Sequence, residues 1–398
     1  MRRIPFAPPE ITEEDIAAVT EVLRSGWITT GPVTKEFEKA LIRYTGANAA
    51  VALNSATAAL ELALRYFGVG PGDEVIVPAY TYSASAAVVC HTGATPVFVD
   101  IDRNTFNISA AAVAKAITSK TKAVMPVDIA GNPCDYDAVL QAVQSASHLF
   151  RARGAEQELL KRPLILADAA HSLGAVYKGQ ASGNTADISA FSFHAVKNLT
   201  TGEGGALLLG QDCPFQAEEF YKSLQLLSLH GQNKDALAKS QLGAWEYDIL
   251  FPGYKCNMTD IAAALGLSQL KRYDTILERR KICTELYQEN LQNDAELILP
   301  QFTQGHTTGS YHLYLMRIRN YNEQRRNHLI KKLAENGISA NVHYKPLPSL
   351  TAYQYLGYKP ENFPEAYKNY ERVISLPLYN SLTAEEIDYI SKIIKEYR

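Results

Sequence analysis

From about residue 49 the chain alternates short apolar runs with stretches of helical period. AAVAL (49–53) leads into ATAALELALRYF, EVIVP (74–78) into SASAAVVC, and PVFVDI (96–101) into AAAVAKAI. AVMPVDI (123–129) leads into YDAVLQAV and PLILAD (163–168) into AAHSLG, with ISAFSF (188–193) and GALLLG (205–210) closing the series. Strands this apolar, separated by helices, predict an α/β protein with a parallel sheet covered on both faces. The turn signals GVGPGDE, TGAT and AGNP fall between these elements. After about residue 255 the pattern changes. TDIAAALGLSQLKRYDTILERRKICTELYQENL predicts a long amphipathic helical stretch, and GSYHLYLMRI a half-buried strand. NEQRRNHLIKKLAENG predicts a helix stopped at Gly337, ISANVHY a further strand, and Thr383 with Glu386 a capping box opening the last helix. The pattern divides the chain into an N-terminal segment with a large α/β domain (1–255) and a linking helix with a smaller α+β domain (256–398). The charged segment 145–163 reads as a solvated helical excursion, with a subunit contact or a substrate lid as the alternative.

Composition narrows the class. The 398 residues are 46% apolar and 20% charged, enough for a sizeable core. A net charge of −3 with no basic stripe argues against nucleic acid as a partner. No apolar run reaches the roughly 18 residues that a membrane span needs. The opening MRRIPFAPPEITEEDIAAV carries prolines and acids where a leader would carry an apolar core. The five cysteines are scattered without a CxxC, as expected of reduced thiols in the cytoplasm.

Candidate chemistry clusters where strands end. Lys197 follows the strand ISAFSF and precedes a Thr/Gly-rich turn, the place where open α/β sheets bind ligands. A lysine in such a crevice can lose part of its basicity by desolvation and form a Schiff base; a surface lysine is the simpler alternative. Asp168 ends LILAD, where a buried carboxylate needs a cation or hydrogen-bond donors. A protonated pyridine nitrogen would serve, but taken alone a helix N-cap is the better reading. Asn54, Ser55 and Thr57 stand where a strand becomes a helix, a ready phosphate site or a simple cap, and Ser192 could add a hydroxyl. Tyr82, beyond EVIVP, could stack on a heteroaromatic ring, or be one of 23 ordinary tyrosines.

Phosphate turn, aromatic, strand-end aspartate and then lysine is an order that resembles the fold-type-I pyridoxal-phosphate enzymes. More specifically, the chain resembles the DegT/DnrJ/EryC1/StrS family of nucleotide-sugar aminotransferases. The resemblance rests on SGWITTGP, NSATAAL, GPGDEVIVPAYTY, GATPVFVDID, TKAVMPVDIAG, DAAHSLGA, FSFHAVKNLTTGEGG, PGYKCNMTDIAAALGLSQL, VHYKP and SLPLYNSLT, and spans almost the whole chain. Within the family, GWITTGP, SFHAVKN and PGYKCNMTDI are most similar to the enzyme that aminates a UDP-linked 4-keto-pentose for lipid A modification. Enzymes acting on UDP-linked 4-keto-hexoses are nearly as similar.

The resemblance implies pyridoxal 5'-phosphate as cofactor, L-glutamate as donor and a nucleotide-linked keto-sugar as acceptor. It makes Lys197 the Schiff-base residue and Asp168 the partner of the pyridine nitrogen. Ala56, Thr57 and Ser192 match phosphate contacts, Tyr82 the stacking aromatic, and Asn257 an asparagine that reaches the phosphate of the neighbouring subunit in a homodimer. His171, His194 and His343 fall in active-site segments, His171 on the cofactor side and the other two on the substrate side. Thr29 and Thr30 lie at the substrate entrance. Three features depart from the family pattern: Asp128 replaces a usual histidine, Ala167 a common acid, and the 145–163 insertion is long. Two other functions compete. A sugar dehydratase of this family would carry histidine in place of Lys197, and a non-catalytic regulator would need a partner or DNA-binding module for which no segment is spare.

Overall fold

The computed structural model describes residues 3–234 and 246–398, so Met1 and Arg2 of the opening segment lie outside it. The apolar runs form a seven-stranded sheet of β1 (Ala49–Leu53), β2 (Glu74–Pro78), β3 (Thr95–Val99), β4 (Thr121–Val124), β5 (Leu164–Asp168), β6 (Ile188–Ser192) and β7 (Gly205–Leu209). Its order is β1-β7-β6-β5-β4-β2-β3. Neighbours from β3 to β6 pair in parallel. GALLLG is the exception to the parallel expectation, because β7 runs antiparallel to both β1 and β6. Residues 193–204 between β6 and β7 contain no helix, so the chain turns straight back where a parallel pair would need a long crossover. Val75, Val77, Leu164 and Leu166 enter the core on one face, while Ile76, Ile165 and Ala167 enter the other. Both faces are therefore covered, which is why these strands are apolar throughout.

A second, antiparallel sheet follows, built from β8 (Leu297–Ile298), β9 (Tyr314–Ile318) and β10 (Val373–Leu376). The half-buried strand expected of GSYHLYLMRI is buried along all of β9. Tyr314, Met316 and Ile318 face the core around this second sheet, but Leu315 packs into a core of the large sheet, so no side of the strand meets water. ISANVHY forms no ladder; it makes isolated bridges from Ile338 to Ile4 and from Asn341 to Ser375, two different partners that cannot propagate a strand. The closing helix Ala384–Tyr397 does open with the Thr383/Glu386 capping box.

The long helical stretch breaks at Arg272, between the helices Asp260–Lys271 and Tyr273–Leu291. The Arg272 guanidinium is drawn to Glu10 and Asp15, at 3.0 and 2.8 Å. Two stretches pack across the division expected at residues 255 and 256. Met258, Ala263, Leu270 and Ile276 complete one core of the large sheet, while Ile4 joins the core around the second sheet. The 145–163 segment is also more anchored than its charge suggests. Phe150 and Leu160 join the core, and buried Gln157 donates to the Phe67 carbonyl at 2.7 Å. Arg153 pairs with Asp73 at 2.6 Å, and Lys122 donates to the Arg151 carbonyl. The segment is a helical excursion with many exposed side chains and the helix Ala155–Leu160, pinned by these few contacts at the amino edge of β2 and β4, at the opposite end of the sheet from Asp168.

Candidate active site

The strands β1, β5 and β6 all end at one edge of the sheet, where β7 begins. Ser192 pairs with Gly205, and Gly205 with Leu53, so the ends of β6 and β1 are joined through β7. A Cβ at Gly205 would lie 2.4 Å from the Ala56 nitrogen, so only glycine lets the turn after β1 sit this close. Ser55 caps the helix Ala56–Tyr66 by accepting from Ala58 N at 3.1 Å. The leading N–H groups of Ala56 and Thr57 have no intrahelical acceptor and form a site suited to phosphate; Ser192 ends β6 beside Gly205, its hydroxyl accepting from His194 N at 3.4 Å.

Asp168 is not a helix cap. Residues 170–174 form a turn, and two-residue strands follow at Val176–Tyr177 and Gln180–Ala181, so the short AAHSLG stretch has no length in which to become a helix. The buried carboxylate accepts from Ser85 Oγ at 2.7 Å and from Ala170 N at 3.3 Å. Burial pushes its pKa up, against the opposing effects of Ser85, Ala170 and Lys197. Lys197 is half-buried; desolvation brings its pKa down to about 8, with Asp168 acting the other way. The two groups thus feel each other across the crevice.

Three imidazoles complete the wall. His171 meets the Tyr344 hydroxyl at 3.2 Å, and its ring lies 4.4 Å from that of His312. His343 bonds Ser375 Oγ at 2.8 Å and stacks on Phe6. Burial and the Lys197 charge push His343 down to about 4. Burial, Lys197 and neighbouring imidazoles hold His171 and His312 well below the usual histidine range. All three are neutral near pH 7.

The remaining candidates sit around the mouth. Tyr82 is 64% exposed, its ring 6.0 Å from that of Tyr344. His194 is exposed and approaches Glu203 at 3.6 Å, while its carbonyl accepts from Lys197 N at 2.9 Å. The exposed Thr29 offers its carbonyl to Asp260 N at 3.1 Å. Asn257 bridges Leu53 of its own chain, and its amide donates to Thr30 Oγ1 at 2.5 Å. Thr30 and Asn257 therefore lie beside the turn after β1 in the single chain. Asp128 is buried, and its carboxylate accepts from Cys134 N at 2.8 Å, Tyr136 OH at 2.9 Å and Ser172 Oγ at 2.6 Å. The polarity gained by this replacement serves the loop that carries His171. Sequence reasoning missed Ser85, Asn198, His312 and Tyr344. Ser85, the second of two serines in the otherwise apolar SASAAVVC, and a histidine inside GSYHLYLMRI were the available signals, both polar groups within apolar runs.

These residues fit pyridoxal phosphate. The buried Asp168 carboxyl lacks a contacting cation, and His171 Nδ1 is buried without a hydrogen-bond partner among the described residues. A pyridinium and its ring substituents would meet both, with the phosphate at the turn after β1. The fold and this donor set define a pyridoxal-phosphate-dependent sugar aminotransferase. The chain belongs to the DegT/DnrJ/EryC1/StrS aminotransferase family, whose model matches residues 9–395. Spr1654 of Streptococcus pneumoniae, assigned as a sugar aminotransferase and solved in its PMP form, is 51% identical, with a TM-score of 0.96 and 99% of each chain covered. A PLP form of the same protein is similar. The spore coat polysaccharide biosynthesis protein SpsC of Bacillus subtilis is 41% identical over 99% of this chain and 96% of its own. Helicobacter pylori PseC, an aminotransferase involved in the biosynthesis of pseudoaminic acid, is 28% identical with a TM-score of 0.88, covering 100% of this chain and 99% of its own. No helix among the described residues is long and apolar enough to cross a membrane.

Proposed function

We propose that this enzyme transfers an amino group from L-glutamate to a nucleotide-linked keto-sugar, a UDP-4-keto-sugar, in the cytoplasmic synthesis of a cell-surface polysaccharide or lipid A sugar. The observation that carries the chemistry is a lysine with its pKa brought to about 8 facing a buried, incompletely satisfied aspartate at a strand-end crevice. The polysaccharide and pseudoaminic acid roles in the names of SpsC and PseC support the substrate class. Pyridoxal phosphate, when bound, supplies the electron sink that lets the donor's Cα–H bond break. Asp168 keeps the pyridine nitrogen protonated. Lys197 Nζ would hold the cofactor and, as a free amine of lowered basicity, would carry the proton taken from the donor Cα. The N–H groups of Ala56 and Thr57 and the Ser192 hydroxyl would hold the phosphate, and His171 and Tyr82 would border the ring. Thr29, Thr30, His194 and His343 line the path of the sugar.

The test is a pair of half-reactions followed by the cofactor spectrum. L-glutamate should convert the enzyme to the amino form, and a UDP-4-keto-sugar from a panel of UDP- and dTDP-sugars should convert it back. Failure of every keto-sugar to reverse the change would exclude this substrate class. We also assign Asn257 to the phosphate of a partner subunit in a homodimer, an assignment that rests on the family resemblance and competes with its place beside its own chain's turn after β1. Mixing Lys197→Ala and Asn257→Ala chains should then restore activity in confirmed heterodimers; activity no higher than the parents' mean would place Asn257 in its own subunit's site.

A further inference from the structure

The segment just before β9 reaches into the active-site edge from the small domain, and its polar groups do not point at solvent. Ser310 and His312 are buried at 0% and 4% exposure. Ser310 N donates to the Gly131 carbonyl at 2.9 Å, its hydroxyl donates to the His171 carbonyl, and His312 N donates to the Ala130 carbonyl at 3.1 Å. Behind the segment, buried Arg280 donates to the carbonyls of Tyr311 at 2.8 Å and His312 at 2.7 Å, and to that of Leu378 at 3.1 Å. The segment is thus fixed on two sides before it meets the catalytic lysine.

The meeting point is Asn198, the residue after Lys197. Its Nδ2 donates to the Ser310 carbonyl at 2.7 Å, and its Oδ1 lies 2.9 Å from His312 Nδ1. A carbonyl can only accept, so the Ser310 contact settles which end of the Asn198 amide is which. Oδ1 therefore accepts, and the proton of neutral His312 sits on Nδ1. Elsewhere the 194–201 turn is held by its own backbone, by the Thr200 hydroxyl on the Phe193 carbonyl at 3.1 Å, by Gln269 Oε1, which accepts from Thr200 N at 2.9 Å, and by a contact of Tyr273 with Asn198. The Asn198 pair is its tie to the segment from the small domain.

We propose that His312 is a positioning residue: through Asn198 it fixes the turn that presents Lys197 to the cofactor. The inference rests on Lys197 being the cofactor-bearing lysine. The imidazole is suited to this because it stays neutral beside a cationic lysine, held so by burial and by the charges of Lys197 and Arg280. Asparagine can place an amide N–H where Nδ1–H stands, whereas leucine fills space without donating.

The experiment uses the full-length holoenzyme. Borohydride treatment of the wild type, followed by peptide mapping, should label Lys197; labelling elsewhere defeats the functional assignment itself and leaves the variants unread. With Lys197 labelled, His312→Leu should lower kcat about tenfold at near-constant KM, the scale of one buried hydrogen bond. It should also slow borohydride labelling and shift the pH midpoint of the cofactor absorbance. His312→Asn should restore most of both, which a space-filling role would not allow. If His312→Leu is poorly folded, Asn198→Ala is read in its place with the same expected losses. Wild-type kcat and absorbance midpoint in a folded His312→Leu or Asn198→Ala protein overturn the proposal.

Discussion

Two buried carboxylates in this molecule are treated in opposite ways. Asp187, at the amino end of β6, receives both arms of Arg162 at 2.8 and 2.7 Å and the Ile165 N–H at 2.8 Å. Asp168, at the carboxyl end of β5, receives one serine hydroxyl and one longer backbone contact, with no contacting guanidinium or ammonium among the described residues. The first is a saturated structural charge. The second is held by burial in a state that a cation would relieve, with Lys197 across the crevice. The sheet thus satisfies charge at one edge and withholds satisfaction at the other, and the unsatisfied edge is where the chemistry belongs.

The largest effect should come from removing the lysine. Lys197→Ala should lower transamination on the order of 10⁴-fold or more, because the anchor and the proton carrier are lost together. Its thermal unfolding in the cofactor-free state should stay close to wild type, since the side chain serves chemistry more than packing. Activity within tenfold of wild type would remove Lys197 from the mechanism.

The two aspartates should then separate cleanly. Asp168→Asn should lower the rate on the order of 10²- to 10³-fold, the scale of losing one preorganised electrostatic partner. In cofactor-free protein it should leave stability unchanged or raised, because burial disfavours the charge it removes. Asp187→Asn should do the reverse, costing about 3 kcal/mol in denaturant unfolding by leaving Arg162 unpaired, with little change in kcat of the folded enzyme. Equal behaviour of the two variants in both assays would erase the distinction between the edges.

The alternation of apolar runs was enough to place all seven strands of the large sheet, because each strand is buried on both faces. Direction was not legible for GALLLG, since parallel and antiparallel buried strands have the same composition and only the short return from β6 decides. At the site, strand ends singled out Lys197, Asp168 and the turn at Ala56–Thr57 as places, but their proposed roles came from the family resemblance, since taken alone Asp168 read better as a helix cap. His312, Asn198 and Ser85 were not legible, because their roles depend on contacts between segments more than 80 residues apart, as in the Ser85–Asp168 bond with a separation of 83. The capping box at Thr383 was fully local and is present as expected. The anchoring of the 145–163 segment was hidden by its charge: Gln157 is polar, yet its amide is buried against the Phe67 carbonyl.

Glu38 tests whether a sparsely satisfied buried carboxylate is enough to mark chemistry. It accepts from Ala52 N at 2.9 Å, on the edge strand β1, and from Tyr221 OH at 2.8 Å. Burial raises its pKa from 4.5 to about 7. Like Asp168 it has two donors, but it lies on the helix Pro32–Thr45, packed against Ala52 of β1 rather than at the end of a strand, so its effect should be on stability alone. The sign follows from proton counting. Between about pH 4.5 and 7 the native state holds a proton that the unfolded chain has released, so this group's contribution is fullest below the lower value and is lost as pH rises through the upper one. Relative to Glu38→Gln, the wild type should lose up to about 3 kcal/mol of unfolding free energy across that window, the equivalent of the shift. Urea titrations of both cofactor-free proteins at pH 5, 6 and 7 should show the wild-type curve falling against the variant's, with kcat at fixed pH unchanged. A variant that tracks the wild type at all three pH values would mean that Glu38 is ionised in the fold, and that two donors already suffice for a buried carboxylate here.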